Sequence, residues 1–201
     1  PKSKLGEADA LGLDGSGNLE IRKVAQWGRS LATGLHSIHG LGIVHRDVKP
    51  ANILISETGK ALLIDFGVAF DLSGERITDD QVTIGTALYM APELIAGEKP
   101  SASSDVYALG VTLFEALSGK APFYAENAMA LCMKASKGDI PPLRGPKGLR
   151  PDTPEELEAI LVKCLAAEAK HRYATAEEVG NDLERFLQSY VPGAAPEPAP
   201  P

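Results

Sequence analysis

Two polar motifs on either side of a short apolar stretch place the strongest limit on how this chain can fold. The first motif reads H-R-D-V-K-P-A-N at residues 45–52, and the second reads D-F-G at residues 65–67. Residues 53–64 between them are two runs of aliphatic residues around the turn S-E-T-G-K. Such runs around a turn that contains Gly predict a β-hairpin. Because a hairpin returns to the edge from which it starts, we expect Asp47 and Asp65 to lie at one edge.

The side chains in these motifs are of the types that phosphoryl transfer uses. A carboxylate can accept or orient a proton, and a lysine can neutralise charge on a phosphoryl group. Carboxylate and amide oxygens are ligands that suit magnesium. Phosphoryl transfer needs little covalent help from a protein, because the attacking hydroxyl must be aimed and negative charge must be neutralised. The two motifs together hold the residue types for both tasks.

Composition excludes several other classes of function. The 201 residues suffice for one domain, or one lobe with tails, and the net charge of -7 argues against a nucleic-acid binder and a polybasic membrane anchor. The two cysteines, Cys132 and Cys164, lack a C-x-x-C spacing, so neither a disulfide framework nor a zinc site is predicted. No apolar run approaches the roughly 20 residues of a membrane span. We therefore expect a cytoplasmic location, with a membrane tether conceivable only beyond the C-terminal tail.

Hydrophobic periodicity predicts that most of the chain is helical. Apolar residues between positions 19 and 39 recur every three or four residues, and Gly40 is suited to end that helix. His36 and His39 lie on it, where packing or solvent exposure explains them better than a metal site. Similar patterns predict helices at 106–117, 126–136, 154–167 and 175–190.

The two ends of the chain have a different texture. Residues 1–18 are polar and rich in Gly, which predicts a flexible lead-in. Residues 191–201 read V-P-G-A-A-P-E-P-A-P-P, which is typical of a semi-rigid linker or tail. The part expected to fold is therefore residues 19–190.

Two further motifs follow in a fixed order, A-P-E at residues 91–93 and S-D-V-Y-A-L-G at residues 104–110. With the first two motifs, they make the sequence similar to a eukaryotic-type serine/threonine protein kinase, and its Ala-Gly-Pro-rich texture resembles the bacterial members. The resemblance covers residues 19–190. It implies a mainly α fold, the large C-terminal lobe of a kinase, in which a helical bundle carries a small β-hairpin at its catalytic edge.

The resemblance implies a role for each polar residue of the site. Asp47 and Lys49 would be catalytic, the first towards the substrate hydroxyl and the second towards the migrating phosphoryl group. Asn52 and Asp65 would hold Mg²⁺ and ATP, and Leu54 would touch the adenine ring. The expected partner is a protein substrate that offers Ser or Thr.

Other matched residues are expected to be structural. His45 and Phe66 correspond to residues with hydrophobic packing roles in the family. Asp105 matches a buried carboxylate that accepts backbone N–H groups from the catalytic loop, and Glu93 and Arg172 match a buried ion pair. Removing one partner of such a pair would destabilise the lobe, because the other charge would stay buried alone.

The segment between Asp65 and Glu93 resembles an activation segment. Thr86 matches the threonine that serine/threonine kinases place against the catalytic residues, and it binds substrate in that family. Thr83 is the preferred phosphorylation site, because Arg46 could pair with the added negative charge. Phe70 stands where a basic residue often assists that pairing, which weakens the case for control by phosphorylation.

The small β lobe of the kinase fold has no counterpart in this sequence. Neither a G-x-G-x-x-G nor a V-A-I-K equivalent occurs, and only 18 residues precede the first predicted helix. Five strands and a helix need roughly 50 residues. We therefore expect a large lobe only, which works with a small lobe from a longer chain or with a partner chain in trans.

Two alternatives to an active kinase stay open at this level. The chain could be a catalytically silent lobe that serves as a binding or scaffold module. It could also be a small-molecule phosphotransferase of the aminoglycoside type, which shares an Asp-to-Asn loop and a magnesium Asp. K-P inside the loop and the A-P-E motif with its partner Arg172 disfavour that last interpretation.

Overall fold

The structure, a computed structural model, describes residues 19–65 and 87–192. Within these residues the chain is mainly helical, as predicted. The helices are α1 (Ile21–His39), α2 (Pro92–Ile95), α3 (Ala102–Ser118), α4 (Ala128–Lys137), α5 (Glu155–Cys164) and α6 (Ala176–Ser189). Two strands, β1 (Ile53–Ile55) and β2 (Ala61–Leu63), and two short 3-10 helices, Pro50–Asn52 and Ala169–His171, complete the elements.

Helix α3 forms the centre of the lobe. Twelve of its 17 residues are buried, which fits a helix that is apolar on nearly all sides. It begins at a capping box in which Ser101 and Ser104 exchange hydrogen bonds, and it ends at Gly119, whose φ of +73° is left-handed. The apolar run at 106–117 therefore located the helix correctly, but its polar first turn carries no hydrophobic signal and was missed.

Helix α1 packs against α3 and α6, and its close approach depends on one glycine. A Cβ at Gly28 would lie 2.7 Å from a side-chain carbon of Leu113 in α3 and 3.0 Å from one of Leu183 in α6. The helix begins at Ile21 rather than at residue 19, and it ends at His39 as predicted. Its buried face forms one continuous core with α3 and α6.

The remaining helices follow the predicted pattern with shifted ends. Helices α4 and α5 start at Ala128 and Glu155, one or two residues later than predicted, and α5 ends at Cys164. Pro154 is the N-cap of α5 rather than a residue of its first turn. The four-residue helix α2 was not predicted, because it is too short to show a hydrophobic period.

The hairpin forms as predicted. Strands β1 and β2 are antiparallel, with Ile53 opposite Leu63 and Ile55 opposite Ala61. One more hydrogen bond, from the Ile64 N–H to the Asn52 carbonyl (2.9 Å), extends the pairing to its open end. That bond places the residue after Ile64, Asp65, beside Asn52.

Among the residues that the structure describes, no helix is both long and apolar enough to cross a membrane. The predicted lead-in at 1–18 and most of the tail at 191–201 lie outside the described residues.

Candidate active site

The predicted catalytic loop, residues 45–52, lies between α1 and β1 and is held by one carboxylate of α3. Asp105 accepts the backbone N–H of His45 at 2.8 Å and that of Arg46 at 2.9 Å. Arg46 has a φ of +70°, a left-handed conformation that L residues other than glycine rarely adopt. Such a conformation persists where the surroundings impose it, and here the two hydrogen bonds to Asp105 do so.

Asp105 has a third contact that the sequence did not predict. The Nε2 atom of His39, at the end of α1, lies 2.8 Å from Asp105 Oδ2, and the His39 side chain is only 10% exposed. The sequence suggested packing or solvent exposure for this histidine. The position of a single histidine at a helix end carries no signal for such a partner, which lies 66 residues further along the chain.

His45 is buried, as expected for a residue with a packing role. Burial lowers the pKa of its imidazole below the ordinary value of 6.5, against the opposing effect of the nearby Asp105 and Asp47 carboxylates. The histidine is therefore held towards its neutral form beside Asp47 of the loop and Asp105 of α3.

Asp47, Lys49 and Asn52 form one cluster at the end of the catalytic loop. Asp47 Oδ2 lies 2.8 Å from Lys49 Nζ and accepts a hydrogen bond from Asn52 Nδ2 at 2.7 Å. Asn52 Nδ2 also donates to the Asp47 backbone carbonyl at 2.9 Å. Both bonds use the amide nitrogen of Asn52, so its amide oxygen can bind another group. The side chains of Asp47 and Lys49 stay about one-fifth exposed, at 19% and 21%, so a substrate can reach them.

Asp65 lies at the same end of the hairpin as Asn52. It follows the residue that is paired with Asn52, it is exposed, and its φ of +57° is left-handed. The described residues contain no group of three or more His, Cys, Asp or Glu that could hold a metal by itself. An amide oxygen and a carboxylate do fit magnesium, which takes few protein ligands and fills its shell with water and substrate phosphates.

The hairpin shows an apolar face beside these polar groups. Leu54 lies opposite Leu62, and Ile64 is two residues after Leu62, just past the end of β2, so the three side chains share one face of the hairpin. Leu62 is 47% exposed and Ile64 is 38% exposed. A flat ring or another apolar surface could pack on this apolar face, next to the polar cluster.

The A-P-E motif is anchored at a distance from the cluster by a buried ion pair. Arg172 binds Glu93 through two parallel bonds of 2.7 and 2.8 Å, and its guanidinium also donates to three backbone carbonyls and lies 4.8 Å from the ring centroid of Tyr107. The Arg172 side chain is fully buried, and that of Glu93 is 14% exposed. These contacts attach α2 to the loop between α5 and α6.

A second contact near this motif was not predicted. Tyr89 Oη donates to Glu115 Oε2 at 2.5 Å, and burial together with this hydrogen bond raises the pKa of the Tyr89 phenol. The predicted site residues Phe66, Thr83 and Thr86 lie outside the described residues.

Comparison with known proteins gives consistent matches. The family sequence model of the protein kinase domain matches residues 8–183. The chain is 39% identical over 175 residues to the tyrosine-protein kinase MasK of Myxococcus xanthus, a match that covers 83% of this chain and 27% of that protein. It is 40% identical over 163 residues to the serine/threonine-protein kinase PknB of Mycolicibacterium smegmatis, covering 80% of this chain and 25% of that protein.

A probable serine/threonine-protein kinase PknB of Bifidobacterium longum is 37% identical over 183 residues, with 90% of this chain and 26% of that protein covered. The chain thus spans about a quarter of the length of the curated relatives that it matches.

Proposed function

Because this chain belongs to the protein kinase domain family, and is similar to bacterial serine/threonine kinases, we propose that it supplies the catalytic lobe for transfer of the ATP γ-phosphate to Ser or Thr of protein substrates. The observation that carries the proposal is the cluster of Asp47, Lys49 and Asn52, with Asp65 beside it at the open end of the hairpin.

In the proposed reaction the substrate hydroxyl oxygen bonds to the γ-phosphorus while the bond from that phosphorus to the leaving ADP oxygen breaks. Asp47 orients the hydroxyl and accepts its proton. Its Oδ2 already faces Lys49 and Asn52, so Oδ1 is the oxygen available to the hydroxyl among the described contacts. Lys49, 2.8 Å from Asp47, stabilises the negative charge on the migrating group.

Asn52 and Asp65 are the residues that would hold magnesium, through the amide oxygen and the carboxylate. Magnesium, when bound, neutralises charge on the nucleotide phosphates. Asn52 has a second task, because its Nδ2 fixes the Asp47 carboxylate and thereby links the proton acceptor to the metal position.

The apolar face of Leu54, Leu62 and Ile64 supports nucleotide binding at the same edge. A planar adenine on this face would bury apolar surface while its phosphates reach Asn52 and Asp65. We propose that a small lobe, from a longer chain or from a partner in trans, covers the other side of the nucleotide.

The names of the relatives do not decide which amino acid of the substrate is phosphorylated. One relative is named a tyrosine-protein kinase and another a serine/threonine-protein kinase, at 39% and 40% identity. Lys49 and the match of Thr86 to the serine/threonine pattern support the latter class. Phosphorylation of Thr83, paired with Arg46, stays a prediction. Phosphoamino-acid analysis of a labelled substrate checks the class, and phosphotyrosine as the main product would contradict it.

The proposal is tested with the longest protein that contains this sequence, incubated with labelled ATP, Mg²⁺ and a protein substrate. Asp47→Asn should lower the initial rate about 100-fold or more, because the general base is lost while the shape is kept. Asp139→Asn, which changes an exposed aspartate in no described ion pair, is the matched control and should keep the wild-type rate.

Each other result has a defined meaning. A wild-type rate in the Asp47→Asn protein would refute the role of Asp47. A wild-type protein that binds its partners but transfers no phosphate would favour the silent scaffold instead, and label on an aminoglycoside with none on protein would favour the small-molecule phosphotransferase.

A further inference from the structure

Trp27 connects α1 to the turn of the hairpin through a single directed hydrogen bond. Its indole Nε1–H donates to the carbonyl of Gly59 at 3.1 Å, and the Trp27 side chain is buried. Gly59 itself is exposed and has a φ of +78°. The contact therefore joins a fixed side chain of the core to the tip of an otherwise solvent-facing turn.

The turn that receives this bond is internally braced. The Gly59 N–H donates to the Ser56 carbonyl, and the Ser56 N–H donates to the Lys60 carbonyl, both at 2.9 Å. The Ser56 hydroxyl also accepts the Lys60 N–H at 3.1 Å and lies 3.0 Å from the Thr58 hydroxyl. Because these bonds cross the turn in both directions, a constraint on Gly59 reaches both strands.

The other end of the hairpin carries the proposed magnesium ligands. The pairing runs from Ile55 opposite Ala61 to the bond between Ile64 N–H and the Asn52 carbonyl. At about 3.3 Å per residue, Asp65 is roughly 17 Å along the strand from Lys60. A paired hairpin of that length tilts as one piece, so the position of its turn influences the position of its open end.

Helix α1 also holds the catalytic loop. His39, at its last position, contacts Asp105, which accepts the N–H groups next to Asp47. Twelve positions earlier on the same helix, Trp27 holds the hairpin. One helix therefore contacts both the carboxylate that holds the loop of Asp47 and the hairpin that leads to Asp65.

We infer that Trp27 is a positioning residue for the proposed magnesium site, whose indole N–H fixes where Asp65 lies relative to Asp47 and Asn52. The inference rests on the proposed function for the role of magnesium. A phenylalanine at this position would keep most of the ring packing but could not donate to Gly59. Since Gly59 is exposed, water can replace the lost donor, and the fold should survive.

The first test needs no ligand. In Trp27→Phe, the amide hydrogen of Ile64 should exchange with deuterated solvent about tenfold faster than in the wild type, because the open end of the hairpin loosens. The amide of Leu109, in the centre of α3, should keep its wild-type rate. Ser30→Ala is the matched control, because Ser30 is partly exposed on α1 and, among the described residues, its hydroxyl donates to the Gln26 carbonyl of its own helix. An unchanged Ile64 rate in Trp27→Phe overturns the inference.

The second test measures phosphoryl transfer by the longest protein against free Mg²⁺ at saturating ATP. In Trp27→Phe the Mg²⁺ concentration for half-maximal rate should rise about threefold to tenfold, with kcat at saturating Mg²⁺ within about twofold of wild type. A lower kcat with an unchanged Mg²⁺ requirement would show a merely structural tryptophan and overturn the inference. An inactive wild-type protein would overturn the proposed function itself. An active wild type with an unaffected Trp27→Phe variant would overturn only the role of Trp27, so the two failures are distinguishable.

Discussion

At the residue scale, the site depends on one buried carboxylate whose two oxygens both have hydrogen-bond partners. Asp105 accepts two backbone N–H groups of the catalytic loop and contacts His39. A buried carboxylate is costly unless it is paired, and these three contacts supply the compensation. The same contacts hold Arg46 in its left-handed conformation, so the charge of Asp105 is used to shape the loop that carries Asp47.

The buried pair of Arg172 and Glu93 gives a residue-scale prediction for stability. Arg172→Ala should lower the free energy of unfolding by about 3–5 kcal/mol, because Glu93 would be left buried without its partner. Urea unfolding followed by circular dichroism measures the change. Arg29→Ala is the control, since Arg29 and Glu184 form an exposed pair, and it should cost less than about 1 kcal/mol. Equal losses in the two variants would contradict the assignment of Arg172 as a buried anchor.

At the element scale, hydrophobic periodicity was sufficient to find the long helices, and local polar chemistry decided their ends. The apolar run of α3 was clear from the sequence, but its first turn begins at a serine capping box that carries no apolar signal. Turn residues located the hairpin, because its two short strands flank a turn with Gly59. The short α2 could not be predicted, since four residues show no period.

The start of α6 gives a prediction at this scale. The Thr175 hydroxyl accepts the Glu178 N–H, and the Glu178 carboxylate accepts the Ala174 N–H, which is one residue before the N-cap. Thr175→Ala should lower the free energy of unfolding by about 1 kcal/mol, measured by urea unfolding, because a helical N–H loses its acceptor. Thr175→Ser keeps the acceptor and should cost little. A loss as large in the serine variant would show that the methyl group, rather than the cap, stabilises this end.

At the scale of the whole molecule, the sequence revealed the candidate site residues better than the residues that support them. The order and spacing of Asp47, Lys49 and Asn52 made them visible as a motif in the sequence, and the structure brings their side chains together. The bonds of His39 to Asp105 and of Trp27 to Gly59 depend on how α1 packs, which motif spacing does not indicate. Their roles could not be predicted before the packing was known.

The burial of His45 within the assembled lobe makes global stability depend on pH. Burial lowers the pKa of its imidazole below 6.5 in the folded protein, as does the proximity of His39, whereas Asp105 and Asp47 act in the opposite direction. The unfolded chain therefore takes up a proton near pH 6.5 that the folded chain does not, so the free energy of unfolding should fall as the pH drops below about 6.5 and should be unaffected by His45 above it. Urea unfolding between pH 5 and 8 measures this dependence.

His45→Tyr is the control for that experiment, because tyrosine keeps an aromatic ring in the core and does not titrate in this range. The other histidines, His36, His39 and His171, are present in both proteins, so subtracting the two pH profiles isolates the contribution of His45. The wild type should lose more stability than the variant between pH 7 and pH 5. Parallel profiles would mean that the folded lobe accommodates a charged His45, and burial would then not dominate over the two carboxylates beside it.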